Sequence, residues 1–390
     1  MARKLASIVE ISRMSPIEGA DKLEVAEMVG KGWKVVIQKG EFKVGDLACY
    51  FEIDSFLNPN DERYAFLKDR CLRKFVSKSG NVLREGIKIK TIRLRGQISQ
   101  GLLMPLKTFP EITERILPDP NSIRLPITFD NVTVEQSCPL IGADVTALLH
   151  VEHYDEVREQ LQSAMGNPIC ADALGRFPSD FIPKTDEERL QNLGDWFEKM
   201  KGRMWQVSCK HDGTSCTIAF SPTIDFENPN IVCSRNLRLK RESADGKIPV
   251  YWQMAEKYGI LDKLGDLFVG GMEYAMQGEI VGPGIQKDRN KEADFKFLCF
   301  RIWDIKNQKW VNPAEAVQLC KSLEIPHVQI VKDAFDFFGE ITTMEEALKF
   351  AEGKTEEGNE REGIVCKTVD ALPYASFKVV SNRYLMKQED

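Results

Sequence analysis

The sequence predicts an α+β protein of two domains: a small β-barrel, then a larger domain of mostly antiparallel sheets with flanking helices. Three observations predict it. A chain of 390 residues exceeds what one hydrophobic core usually organises. Its first stretch, to about residue 110, reads as short strands of alternating polarity separated by turn residues. Beyond about residue 155 the composition changes and helix-capping signals appear between strands. The domains are therefore placed at 1–155 and 156–390.

Composition narrows the class. With 43% apolar and 29% charged residues, the chain is that of an ordinary globular protein rather than a disordered or collagenous one. No apolar run reaches the roughly 18 residues of a membrane span, and the opening MARKLASIVEISRM lacks the apolar core of a secretion signal. Ten cysteines occur with no C-x-x-C pair, which argues against a zinc ribbon and for a reducing, cytoplasmic setting. The chain is expected to work there as a monomer, without membrane.

In the first domain, KLASIVEI, GWKVVIQ and LACYFEI each alternate, with a turn at Gly45-Asp46 before the last. IKIKTIRLR alternates strictly and is expected to form one strand, with Ile87 and Ile89 on one face and Lys88 and Lys90 on the other. Several short strands with few helices suggest an OB-type barrel, which offers a strand face and its loops to nucleic acid. The charge agrees. Net charge is -6 overall, yet Arg63 to Lys107 holds 12 basic residues against Asp69 and Glu85. Such a stretch in an acidic chain asks for an anionic partner, and Lys88, Lys90, Arg93 and Arg95 are its candidate nucleic-acid contacts. Pro16 to Leu23 resembles the turn into a strand of tRNA-binding OB domains. Residues 110–150, rich in proline, are expected to be irregular.

In the second domain, Thr185 to Glu188 followed by Arg189 to Leu193 predicts a capped helix. Strands WQVSCK and TSCTIAF bracket His211-Asp212-Gly213, a hairpin turn by its Asp-Gly. Thr343-x-x-Glu346 is a capping box whose helix should end at Gly353.

The chemistry lies in an ordered series. Lys210-His211-Asp212-Gly213 is followed by Ser234-Arg235-Asn236, then Gly278-Glu279, an aromatic strand from Phe295 to Asp304, Glu362-Gly363-Ile364-Val365-Cys366-Lys367, and Ser376-Phe377-Lys378. This series resembles the motif order of the covalent nucleotidyltransferases: RNA ligases, DNA ligases and mRNA capping enzymes. The N-terminal position of the OB domain is most similar to ATP-dependent RNA ligases that seal 3′-OH/5′-phosphate nicks. The resemblance spans nearly the whole chain, from Gly142 to Leu149 at the domain junction and Lys184 to Arg189 upstream onward. It implies a ligase adenylation domain, ATP as AMP donor, Mg2+ or Mn2+, and RNA as partner. A DNA ligase, a GTP-using capping enzyme and a non-catalytic OB-fold RNA-binding protein are the alternatives.

The resemblance implies roles that physical chemistry supports. Lys210 would attack the α-phosphorus as a neutral amine, although a free lysine has a pKa of about 10.4; a metal ion and cationic neighbours are expected to lower it. Glu279, Glu362 and Asp212 are the candidate metal-holding carboxylates. Gly213 belongs to the nucleotide loop, and Arg189 and Arg235 match phosphate-reading arginines, a task suited to a bidentate fork. Lys367 and Lys378 match the phosphate-contacting lysines, with Val380 where a second lysine is commonest. Phe300 falls where the family stacks a ring on adenine, and Arg301 replaces the usual aspartate. His150 and His153, Cys209 and Cys216, and Gly282-Pro283-Gly284 read as structural.

Overall fold

A computed structural model describes residues 3–129, 132–243, 246–286, 292–370 and 374–389. The chain forms two compact units, 1–167 and 168–388.

In the first unit a five-stranded antiparallel sheet runs in the spatial order Leu102–Pro105, Leu47–Phe51, Ala6–Pro16, Leu23–Met28, Lys34–Gln38. The long strand Ala6–Pro16 shifts register between Ile11 and Arg13, an extra residue of the kind that bends a strand and lets one element serve two neighbours. Its inward phase, with Trp33, Val35 and Tyr50, fills one core; a second gathers Phe51, Leu57, Ile87 and Phe109. A second sheet orders Glu152–His153, Ser55–Leu57, Val82–Lys88 and Leu72–Val76.

Two local expectations fail here. The expected single strand is two: Val82–Lys88 ends, Ile89 bonds through its backbone to Asp54 and Ser55, and Thr91–Leu94 folds back on Gln97–Gln100. Arg95 and Gly96 both take left-handed φ, 48° and 82°, which matches the two-residue turn that follows strand twist. The burial phase is as read, since Ile87, Ile89 and Thr91 are all buried. Residues 110–150 are more regular than expected, because Ser122–Phe129 and Val132–Pro139 pair throughout. Pro126 is tolerated inside that pair because a two-stranded sheet has only edges, where a missing N–H need face no partner.

The second unit holds two sheets. Seven strands run in the order Ala173–Arg176, Leu237–Leu239, Asn230–Cys233, Thr214–Phe220, Tyr274–Val281, Lys296–Asp304, Lys309–Trp310. Five run Glu188–Arg189, Ser376–Val380, Gly363–Thr368, Trp205–Lys210, Ile330–Phe335. Only Glu188–Arg189 is parallel to its neighbour among the described strands. That pairing overrides the expected helix: Arg189 lies in register with Lys378, Leu190 is buried, and Leu190–Asn192 is a single 3-10 turn. The capping-box helix forms as read, Met344–Ala351, with both reciprocal bonds between Thr343 and Glu346. Among the described residues no helix is long and apolar enough to cross a membrane, and all ten cysteines are free thiols.

Candidate active site

The K-x-D-G segment is not a hairpin turn. Trp205–Lys210 belongs to the five-stranded sheet and Thr214–Phe220 to the seven-stranded one, so His211-Asp212-Gly213 carries the chain from one sheet to the other. Gly213 is required for closeness rather than for a left-handed φ: a Cβ there would stand 2.4 Å from the Ile280 carbonyl oxygen and 2.7 Å from Glu279 Cγ.

Register collects the rest. Lys210 lies opposite Gly363, the residue after Glu362, and Ser215 lies opposite Glu279. Gly363 has the same need as Gly213, since a Cβ would come within 2.1 Å of the Val379 carbonyl. Val380, opposite Gly363, is buried at the position where a second lysine was sought. The result is a cavity of about 140 Å3 whose lining includes Lys210, Glu279, Phe300, Lys367, Lys378 and Arg235.

Lys210 Nζ donates to Glu362 Oε2 at 2.6 Å. Burial acts to lower its pKa, but Glu362, Glu279 and Asp212 outweigh it and hold the amine above its ordinary value. The chain's own carboxylates therefore favour the charged amine. Glu279 is pushed up to about 8, first by burial, with Lys210 opposing and Glu362 and Asp212 adding. Burial brings Lys367 down to about 8, against the pull of Glu187; its ammonium bonds the Phe300 carbonyl. Burial likewise lowers Lys378, which is 2.8 Å from Asp186.

Phe300 owes its direction to a bulge. Gln277 pairs with Arg301 and Gly278 with Cys299, leaving Phe300 as the extra residue on its strand. Such a residue is re-aimed out of the pleat, and Phe300 faces the cavity with Lys367 Nζ 5.6 Å from its ring centre. Other aromatic side chains of the same strand go to the core: Phe297 is fully buried and Trp303 packs on Trp310. Arg301 is buried, bonds Glu187 at 3.1 Å and covers the Trp310 ring at 4.0 Å.

Other candidates sit differently. Asp212 is outside the cavity lining and accepts from Tyr384. Arg189 is next to Lys378 by register but does not line the cavity. In the first unit Lys88 is tied to Asp54 at 3.3 Å and lies over Tyr154, Lys90 borders a second hollow, and Arg93 and Arg95 are exposed. The +10 stretch is partly neutralised from outside it: Asp61 and Glu111 hold Arg63, and Glu152 holds Arg84. Sequence reasoning missed Asp186 and Glu187, which line the cavity and grip Lys378 and Arg301. Their signal was a run of acids, read as a helix cap. His153 contacts Arg3 at 3.2 Å, and Cys209 is buried, its thiol pushed up to about 12 by burial.

A family model described as RNA ligase matches residues 203–381, and one described as an OB-fold domain matches residues 5–106. A solved Naegleria gruberi RNA ligase with PPi is 33% identical, with 99% of each chain covered and a TM-score of 0.77. The chain belongs to the RNA ligase family. A mutant of the Naegleria ligase with AMP and Mn is 32% identical to this ligase over 100% of both chains, at a TM-score of 0.78. Another mutant, with ATP and Mn, is 32% identical at 0.77, covering 99% of this chain and 100% of that one. Comparison with curated protein sequences found no match.

Proposed function

We propose that the chain is an ATP-dependent ligase that joins RNA 3′-OH and 5′-phosphate ends at nicks in duplexes, acting as a monomer through a lysine–AMP intermediate. The observation that carries this reading is the Lys210 amine, 2.6 Å from Glu362, in a cavity that also presents Phe300, Lys367, Lys378 and Arg235. The Naegleria structures with AMP, ATP, Mn and PPi support it, since those relatives align along the whole chain.

Lys210 attacks the α-phosphorus of ATP: an N–P bond forms, the bond to the β-phosphate oxygen breaks, and pyrophosphate leaves. Glu362 is the base positioned to take the proton that the ammonium sheds. AMP then passes to the RNA 5′-phosphate as a 5′-5′ anhydride. The 3′-hydroxyl attacks that phosphate, and AMP departs. Lys378, Arg235 and Lys367 place cations along the phosphates, Arg189 adds a further positive charge beside Lys378, and the Phe300 ring receives the adenine. The oxygen-only set of Glu279, Glu362 and Asp212 has the donor chemistry a hard cation takes, although among the described residues no three such side chains stand close enough to hold one directly. When bound, Mg2+ or Mn2+ would neutralise triphosphate charge and favour the leaving group. In the first unit, Lys88, Lys90, Arg93 and Arg95 are assigned to the nucleic acid.

The test is incubation with α-labelled ATP or GTP, metal, and nicked duplexes carrying RNA or DNA on each side of the break. Label on the protein from ATP alone, and sealing where the 3′-OH strand is RNA, is the expected result. A chain that takes no label from ATP overturns the reading.

A further inference from the structure

Asp212 follows Lys210 by two residues, and its hydrogen-bond donor comes from nearly the far end of the chain. Tyr384 Oη donates to Asp212 Oδ2 at 2.5 Å. Tyr384 lies in the first turn of helix Asn382–Glu389 and is only 4% exposed. That turn is itself seated on the other motif: Tyr384 N donates to Ser381 Oγ at 3.2 Å, and Ser381 N donates to the Glu362 carbonyl at 2.9 Å. Arg383 and Lys387 both reach Glu360, two residues before Glu362. One short segment therefore grips the loop after Lys210 and the turn at Glu362 together.

We infer that Tyr384 is a positioning residue for the lysine-adenylation step, acting through Asp212. A carboxylate on a loop turns about two side-chain bonds, and a fixed donor to one oxygen leaves the other aimed in one direction. A phenol suits this task better than a lysine or arginine. It orients the carboxylate without cancelling the negative charge that acts on Lys210 and Glu279. The inference rests on the proposed function, because adenylation of Lys210 is the step it serves.

The experiment is a double-mutant cycle on the full chain, read as single-turnover transfer of label from ATP to protein. Tyr384→Phe keeps the buried ring and removes only the donor. It is expected to slow transfer roughly tenfold in the native background and less than about twofold in Asp212→Asn, the non-additivity of residues that act as a pair. The KM for ATP should stay near the wild-type value, and thermal unfolding should shift by no more than about 2 °C. Equal fold losses in both backgrounds, or a wild-type rate in Tyr384→Phe, overturn the inference. Should Asp212→Asn fall below detection, the comparison of Tyr384→Phe with wild type decides alone. A wild-type chain that takes no label from ATP would instead sink the proposed function, so the two failures are distinguishable.

Discussion

At the scale of single residues, the site depends on two glycines as much as on its charged groups. Gly213 and Gly363 let backbone approach where a methyl group would meet Ile280 O at 2.4 Å and Val379 O at 2.1 Å. Backbone atoms cannot swing aside as a flexible side chain can. Gly213→Ala and Gly363→Ala are each expected to cost about 1–3 kcal/mol, as overpacking does, and to cut AMP transfer by more than that loss of stability accounts for. Urea unfolding beside a labelling assay would check both; unchanged stability in either would refute the close-approach argument. Lys210→Ala, which removes the proposed nucleophile, should abolish label transfer from α-labelled ATP while melting stays near wild type. On a pre-adenylated strand, which bypasses the first step, the same variant should be impaired less.

Among elements, helix Met344–Ala351 shows how a structural cap reaches the chemistry. Its C-terminal carbonyls have no partner within the helix. Arg361 meets them from the strand side: Nε donates to Ala351 O at 3.0 Å, and Nη2 to Phe350 O and to Glu352 O at 2.9 Å. Arg361 is buried, and Glu362 is its chain neighbour. Arg361→Met would leave those carbonyls unserved in a dry place, at an expected cost of about 1–3 kcal/mol. Because the cap also fixes the backbone entering Glu362, AMP transfer should fall beyond what the lost stability explains. Calorimetry paired with single-turnover labelling separates the two effects; a variant that melts as wild type removes the capping argument.

Two expectations concern the whole molecule. His211 is buried and His327 half-buried, and desolvation brings each down to about 4 from an ordinary 6.5. Between those values the unfolded chain binds protons that the folded chain does not. Stability contributed by the neutral rings is therefore present above pH 6.5 and lost as pH falls toward 4. The slope is at most about 1.4 kcal/mol per pH unit for each histidine. Glu279, held protonated up to about 8, acts in the opposite sense, so the measurable quantity is a difference between proteins. His327→Gln should flatten the stability-against-pH line between about pH 6 and 5 by close to one histidine's share, and an unchanged slope would contradict the burial argument. The second expectation concerns salt. As proposed RNA contacts, the exposed Arg93 and Arg95 would release counterions on binding, whereas Lys88 is already tied to Asp54. Neutralising Arg93 and Arg95 should flatten the log-affinity against log-salt slope by roughly 0.7–0.9 for each phosphate left without its cation, and Lys88→Gln should do so less. Adenylation of Lys210 is the control and should not move. Equal slope changes for all three residues would show that the ion pair does not matter.

The order of motifs along the chain was legible without the fold, because each asks for particular residue types: an amine, carboxylates, paired lysines and a ring. Strand polarity was legible too, since a period of two puts Ile87, Ile89 and Thr91 inside whatever the strand does next. Where strands stop was not. The break at Ile89 depends on backbone partners at Asp54 and Ser55, and the strand at Glu188–Arg189 exists only because Ser376–Val380 lies beside it. The tertiary structure alone decided that K-x-D-G joins two sheets, that a bulge turns Phe300 and not Phe297 toward the cavity, and that Asp186, Glu187 and Tyr384 stand at the site. The physical reason is sequence distance: local pattern specifies which face a residue takes, but Asp186 meets Lys378 and Asp212 meets Tyr384 only through packing across more than 170 residues.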